Sequence, residues 1–107
     1  MNGRTFALAL LSILALSAHA AKELPFNIKP VTTFDEPWAM AFLPDDQMLV
    51  TEKKGRLLIV DGEGNKRAVS GLPDVDYGGQ GGLGDVALHP DFLNNRLIYI
   101  SYAAVSY

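Results

Sequence analysis

Cysteine is absent from the chain, so no disulfide scaffold, thiolate-ligated zinc site or thiol nucleophile can be built from it. Positive charge is scarce too. Nine Lys and Arg stand against twelve Asp and Glu, a formal net charge of −3 over 107 residues. A surface that tracks a phosphate backbone requires clustered cations, so nucleic acid is excluded as a partner. No apolar run approaches the about 20 residues that span a bilayer. The longest, Phe6 to Leu16, is broken by Ser12 and ends near Ser17 and His19. Helical periodicity is also missing beyond residue 20, where apolar residues come in short runs between turn residues.

The short apolar run has a purpose of its own. Arg4 precedes it, and Ala18-His19-Ala20 closes it in the small-x-small pattern of a secretory cleavage site. Residues 1–20 are therefore expected to be a signal peptide cut after Ala20, taking His19 with it. Removing Arg4 leaves eight basic and twelve acidic residues. The expectation is an exported, periplasmic or secreted, mildly acidic protein with no membrane span after cleavage. No cysteine follows the cut, so no lipid anchor is expected there.

Residues 21–36 form a lead-in segment, and from residue 37 the chain reads as short strands. Trp38–Leu43 is closed by Pro44-Asp45-Asp46, and Met48–Glu52 by Lys53-Lys54-Gly55. Arg56–Val60 ends in Asp61-Gly62-Glu63-Gly64, a hairpin signal. Lys66–Ser70 is a weaker, more polar strand. Beyond a glycine-rich loop, Gly84–His89 and Leu97–Tyr102 complete the set. Strands about ten residues apart with repeated turn signals specify an all-β fold. Leu57-Leu58-Ile59-Val60 is apolar throughout, so that strand is expected to be covered on both faces.

The pattern repeats. Ala41-Phe42-Leu43-Pro44-Asp45 recurs 46 residues later as Ala87-Leu88-His89-Pro90-Asp91. Each copy runs through a turn into a second strand, with Leu49-Val50-Thr51 answering to Tyr99-Ile100-Ser101, and the second turn is four residues longer. A period near 45 residues with four strands per period marks propeller blades. A propeller takes about 4–8 blades, so residues 37–107 supply about one and a half. The chain therefore reads as the N-terminal piece of a longer protein. Alone it would be marginally stable, exposing unpaired strand edges.

Half of the glycines crowd into Gly78-Gly79-Gln80-Gly81-Gly82-Leu83-Gly84. Residues 79–84 match G-x-G-x-x-G, but a dinucleotide site puts a strand before that motif and a helix after it. Here Asp85-Val86-Ala87-Leu88-His89 runs straight into Pro90, and no acidic residue lies about twenty positions on. The dinucleotide reading fails, and no Gly-Lys-Ser/Thr supports a P-loop. What the loop offers is a backbone free of side chains except for Gln80. A neutral amide can both donate to and accept from a carbonyl-rich ligand. Read from composition alone, however, an ordinary interblade turn is the better explanation of these glycines.

Two blocks of sequence carry a resemblance. Pro37-Trp38-Ala39-Met40-Ala41-Phe42-Leu43-Pro44-Asp45, with Leu49-Val50-Thr51-Glu52 and Gly55, is similar to the opening blade of the soluble glucose/sorbosone dehydrogenases, the PQQ-dependent aldose sugar dehydrogenases. Gly79-Gln80-Gly81-Gly82-Leu83, Asp85, Leu88-His89-Pro90-Asp91-Phe92, Asn95 and Ile98-Tyr99-Ile100-Ser101-Tyr102 resemble the next. The resemblance implies a six-bladed propeller that oxidises the C1 hydroxyl of an aldose to a lactone. It implies pyrroloquinoline quinone (PQQ) as cofactor, Ca2+ to assist it, and a sugar and an electron acceptor as partners. It places Gln80 at the quinone, as the cofactor-binding residue of this stretch. The family's catalytic His and calcium ligands fall on no residue here, so the chain by itself is expected to be inert. Two other readings are a non-catalytic exported propeller that binds a protein or glycan, since fold alone implies no activity, and a calcium-dependent propeller lactonase.

Other chemically capable residues read as structural. His89 has no evident proton-relay partner and is expected in a turn. Trp38 is expected in the core. Lys53, Lys54 and Arg56 are expected as solvated charges protecting an edge. Asp74, Asp76 and Asp85 lack a D-x-D-x-D-G calcium loop. Tyr99, Tyr102 and Tyr107 suit a half-buried strand and its exit.

Overall fold

The computed structural model describes residues 23–106. The expected signal peptide and Tyr107 lie outside the described residues. Among the described residues the fold is all-β except for one short helix. Four strands, β1 (Pro37–Phe42), β2 (Met48–Glu52), β3 (Leu57–Val60) and β4 (Lys66–Ala68), form one antiparallel meander in chain order. Two more, β5 (Leu83–Leu88) and β6 (Ile98–Tyr102), form a second sheet. Each strand boundary falls within two residues of the sequence expectation. Between β5 and β6 the expected loop contains a helical turn, α1 (Phe92–Asn95), ended by Arg96 in the left-handed region at φ 58°.

The sequence repeat is a repeat of hydrogen-bond register. In the first hairpin Phe42 pairs with Met48, Ala41 with Leu49 and Met40 with Val50. In the second, Leu88 pairs with Ile98, Ala87 with Tyr99 and Val86 with Ile100. The first-strand partners lie 46 residues apart (42 and 88) and the second-strand partners 50 apart (48 and 98). The difference is the four residues of α1.

Even the irregularity recurs. The ladder shifts between Pro37 and Met40, and again between Leu83 and Val86, so Trp38-Ala39 oppose Thr51 while Gly84-Asp85 oppose Ser101. Such a bulge leaves a main-chain N–H without a ladder partner, and a hydroxyl from the facing strand supplies one. Thr51 Oγ1 accepts from the Ala39 N–H at 3.0 Å. Ser101 Oγ accepts from the Asp85 N–H at 2.9 Å. The hydroxyl residues at these two positions keep the bulges satisfied.

The core has two parts, one on each face of the first sheet. On the face toward the second sheet, Leu49 and Leu57 pack with Leu83 and Val86. On the other, Val50, Leu58 and Val60 are covered by Phe34 of the lead-in and by Met48. Leu57, Leu58 and Val60 are all but completely buried, and each such side chain contributes about 1.5–3 kcal/mol relative to exposure. The two-sided cover expected for β3 is therefore present. The lead-in is held by polar contacts too: the Asp35 N–H donates to Glu52 Oε2 at 2.7 Å, and Lys66 Nζ donates to the Thr33 carbonyl at 2.8 Å. Glu52 is 2% exposed. Among the described residues no helix is long and apolar enough to cross a membrane.

Candidate functional site

The glycine-rich loop joins the two sheets, and its shape is set by Asp76. The Asp76 carboxylate accepts from the Gly78 N–H at 3.1 Å, and its carbonyl accepts from the Gly82 N–H at 2.5 Å. Within that ring the Gly81 N–H donates to the Gly78 carbonyl at 2.9 Å, closing a turn. A Cβ on Gly81 would run into the Asp76 carbonyl oxygen. One on Gly82, at φ +99°, would run into the Lys53 carbonyl oxygen and side chain. Glycine is required at both by space, and at Gly82 by backbone conformation as well.

The loop is pinned from two sides. Toward β6, the Asp76 N–H donates to the Ala103 carbonyl at 2.8 Å, and the Ala103 N–H to the Gly82 carbonyl at 3.0 Å. Toward β2, the Leu83 N–H donates to the Lys53 carbonyl at 2.9 Å, and Lys53 Nζ donates to the Gly79 carbonyl at 2.8 Å. The same ammonium lies 4.7 Å from the centre of the Tyr77 ring, a cation–π contact. The Tyr77 hydroxyl donates to the Glu36 carboxylate, 2.6 Å from its nearer oxygen. That hydrogen bond, with a smaller contribution from burial, raises the Tyr77 pKa and keeps the phenol protonated.

Gln80 sits at the tip of this turn. It is exposed, and among the described residues its amide has no hydrogen-bond partner. It opens onto a cleft of about 430 Å³ floored by the backbone of Gly81–Gly84 and walled by Trp38, Asp85, Ser101 and Tyr102. The elements that built the repeat thus place the bulges of both hairpins, Trp38 in one and Gly84-Asp85 in the other, at one end of the paired sheets beside Gln80.

Trp38 departs from its expected place in the core: it is 63% exposed. Alternation along β1 is the reason: Ala39 and Ala41 pack toward the second sheet, so Trp38, with Met40 and Phe42, falls on the exposed side, where it lines the cleft. Lys54 and Arg56 are exposed, as expected, and each of the three basic residues also has a partner: Lys53 the loop carbonyl, Lys54 the Asp35 carboxylate at 3.1 Å, and Arg56 the Glu52 carboxylate at 2.7 Å. Burial alone would raise the Glu52 pKa. The hydrogen bonds from Arg56 and the Asp35 N–H outweigh it and hold the carboxyl below its ordinary value.

His89 lies at the opposite end of β5 from Gln80, in a turn as expected. Its Nδ1 accepts from the Asp91 N–H at 3.0 Å, and its ring stacks on Tyr99 with centroids 5.8 Å apart. The structure does not bring His89 to the cleft. Of the three aspartates, Asp76 is used within the loop, Asp85 lines the cleft, and Asp74 precedes the loop outside the lining. Among the described residues no group of three His, Cys, Asp or Glu side chains could hold a metal ion. The Glu36–Tyr77–Lys53 clamp was missed by sequence reasoning, because no local spacing links positions this far apart.

Comparison with known proteins gives this arrangement a setting. The sequence profile of the Glucose / Sorbosone dehydrogenase family matches residues 34–106. Over 73 residues the chain is 51% identical to the aldose sugar dehydrogenase YliI of Escherichia coli K12, a match covering 66% of this chain and 20% of that protein. It is 40% identical over 86 residues to quinoprotein glucose dehydrogenase B of Acinetobacter calcoaceticus, covering 76% of this chain and 18% of that one. The PQQ-bound structure of the Streptomyces coelicolor aldose sugar dehydrogenase superposes with a TM-score of 0.69 at 29% identity, covering 74% of this chain and 25% of that one. The chain thus spans about a fifth of the length of the curated relatives it matches, as a partial β-propeller does. With most of its described residues inside the profile, including the whole glycine loop, this chain belongs to the Glucose / Sorbosone dehydrogenase family.

Proposed function

We propose that this chain is the amino-terminal part of an exported, PQQ-dependent dehydrogenase that oxidises the C1 hydroxyl of aldoses to lactones. The observation that carries the reading is the family match across residues 34–106, which includes a loop built to present one amide, Gln80, into an open cleft. In the whole protein PQQ, with Ca2+ to assist its binding, would supply the o-quinone that takes up the two electrons and hydrogen removed from the sugar.

The residues present fit one edge of that cofactor. Gly81 and Gly82 leave a floor without side chains, so a flat molecule can lie close to the backbone. The Gln80 amide donates to a quinone carbonyl or a sugar hydroxyl oxygen at no cost in broken internal bonds. A donor fixed in advance at that position stabilises negative charge as it develops. Lys53 holds Gln80 in place indirectly, by anchoring the preceding carbonyl at Gly79. PQQ also carries three carboxylates, and the cleft offers them no cation: its one charged wall residue is Asp85. Their partners, the proton acceptor for the C1 hydroxyl and the calcium ligands would come from elsewhere in a longer polypeptide.

The test is reduction of an artificial electron-accepting dye by the full-length protein loaded with PQQ and Ca2+, against a panel of aldoses. Sugar-dependent reduction is expected. Its absence, with the quinone shown to be bound, would overturn the proposal. Cell fractionation tests export: the protein is expected in the periplasm or medium with Ala21 as its first residue.

A further inference from the structure

Lys53 grips the glycine loop on both sides of its tip. Before Gln80, the Lys53 ammonium donates to the Gly79 carbonyl at 2.8 Å. Beyond it, the Lys53 carbonyl accepts from the Leu83 N–H at 2.9 Å. Between these ends the lysine stem runs along Gly82, where a Cβ would come within 2.7 Å of Lys53 Cγ. Glycine at 82 thus makes room for the stem. A half-buried stem bonded at both ends has little rotamer freedom left to lose in holding the loop.

The carbonyl that the ammonium holds is the one that aims Gln80. It belongs to the rigid peptide plane that ends in the Gln80 nitrogen, so its direction sets where the Gln80 side chain leaves the backbone. Sterics restrain that plane weakly. Gly79 sits at φ +58°, and a Cβ there would meet nothing within 4 Å. Glycine takes either sign of φ with little preference. Turning the plane over would carry the carbonyl away from Lys53 and point Gln80 elsewhere, and the ammonium distinguishes the two positions.

Lys53 is itself held. The Tyr77 ring lies 4.7 Å from its ammonium, and the Tyr77 hydroxyl donates to the Glu36 carboxylate at 2.6 Å. Glu36 closes the circuit, its carbonyl accepting from the Lys53 N–H at 2.9 Å. It does so at φ 50°, in the left-handed region that residues with a side chain avoid. Three segments, the lead-in, the turn after β2 and the glycine loop, therefore converge on one carbonyl. None of Glu36, Lys53 and Tyr77 lines the cleft.

We propose that Lys53 is a positioning residue for the reaction: its ammonium, steadied by Tyr77 and Glu36, locks the Gly79–Gln80 peptide in the orientation that aims the Gln80 amide into the cleft. This rests on Gln80 being the group that meets the quinone or the sugar. Lys53 touches neither and moves no proton. Its whole effect on turnover passes through Gln80, a signature that a merely stabilising residue lacks.

The experiment is a double-mutant cycle in the full-length protein loaded with PQQ and Ca2+, comparing Lys53→Met, Gln80→Ala and the double variant by dye reduction. Lys53→Met keeps the stem against Gly82 and removes the ammonium. It is expected to lower kcat about tenfold, the effect of one misplaced hydrogen bond. KM should move less than about twofold, since the bond concerned strengthens in the transition state. Lys53→Arg, which keeps a donor, is expected to restore most of the rate. Tyr77→Leu is expected to cost about twofold to fivefold through the lost cation–π contact, and it carries the cycle should Lys53→Met fail to fold. Gln80→Ala should be at least as slow as Lys53→Met, and the double variant no slower than Gln80→Ala.

A second readout needs no turnover. In the cofactor-free protein, hydrogen exchange at the Gly81 amide, which donates across the turn to Gly78, should quicken about tenfold in Lys53→Met, again one bond's effect, with β3 unchanged. Lys53→Met at the wild-type kcat beside a slow Gln80→Ala, or with unaltered exchange at Gly81, would overturn the proposal alone. So would a double variant slowed by both factors multiplied, which would mean that the ammonium acts on cofactor or sugar directly. Gln80→Ala at the wild-type rate would overturn the reading of the site, and the role of Lys53 with it.

Discussion

The two hairpins share a register, a bulge and a hydroxyl that satisfies it, yet their surroundings differ. The first is extended by β3 and β4, and its strand β2 is covered on both faces, by the second sheet on one side and Phe34 on the other, while β1 leaves Met40 and Phe42 exposed. The second stands as two strands covered on one face. Thr51 is fully buried, whereas Ser101 in the equivalent position is exposed. The same local sequence pattern thus yields a core in one place and a surface in the other. Local pattern determines strand and register, while burial depends on what is stacked alongside.

The largest effect expected from this difference comes from apolar truncation. Leu57→Ala should cost about 2–5 kcal/mol, the range for opening a cavity at a buried leucine, while Tyr99→Ala should change stability by no more than about 0.5 kcal/mol. Urea unfolding of the two variants measures both, and equal losses would break the comparison. Next comes the loop that joins the sheets. Gly82→Ala demands a left-handed alanine and displaces the Lys53 carbonyl, so it should cost about 1–3 kcal/mol. Hydrogen exchange at the Leu83 amide, which donates to that carbonyl, should speed up more than exchange in β3.

The hydroxyl pair sharpens the contrast further. Thr51→Val strands the Ala39 N–H and the Gly84 carbonyl in the contact between the sheets, at about 1–3 kcal/mol. Ser101→Ala leaves the Asp85 N–H free to find water, and its unfolding midpoint should scarcely move. The smallest effect is one of pH. Glu52 has a folded-state pKa below its unfolded one, so the stability it supplies is complete above the ordinary glutamate range. That stability is lost as pH falls through the depressed folded value. Glu52→Gln should flatten the acid limb of a plot of unfolding midpoint against pH, with no comparable change near neutrality.

Much of this was legible before any coordinates. The turn residues at 44–46, 53–55 and 61–64 marked the strand ends, and five aligned positions, three of them identical, gave the repeat. The unbroken apolar stretch at 57–60 announced a strand buried on both sides. What stayed hidden depended on distant contacts or on which side of a strand is covered. Trp38 reads as core because it lies in an apolar run, but the alternation of β1 puts it with Met40 and Phe42 on the exposed side. Lys53 looked like a solvated charge because its partners, Gly79 and Tyr77, lie more than twenty positions away. Phe34 gave no sign that the lead-in would cover a sheet face. The glycines of the loop were read correctly as turn-formers. That Gly81 must avoid Asp76, and Gly82 must avoid Lys53, became visible only in three dimensions. For Gln80, isolation among glycines was the signal, and the structure adds that its amide is exposed at the tip of a pinned turn.

The central functional claim is that this loop exists to present the Gln80 amide to the quinone or its sugar. A structure of the full-length protein with PQQ bound tests it directly. The account predicts a quinone or sugar oxygen within about 3.2 Å of the Gln80 side-chain nitrogen, the reach of an N–H···O hydrogen bond. A bound quinone with the Gln80 amide turned to solvent, and no cofactor or sugar atom in reach, would contradict it.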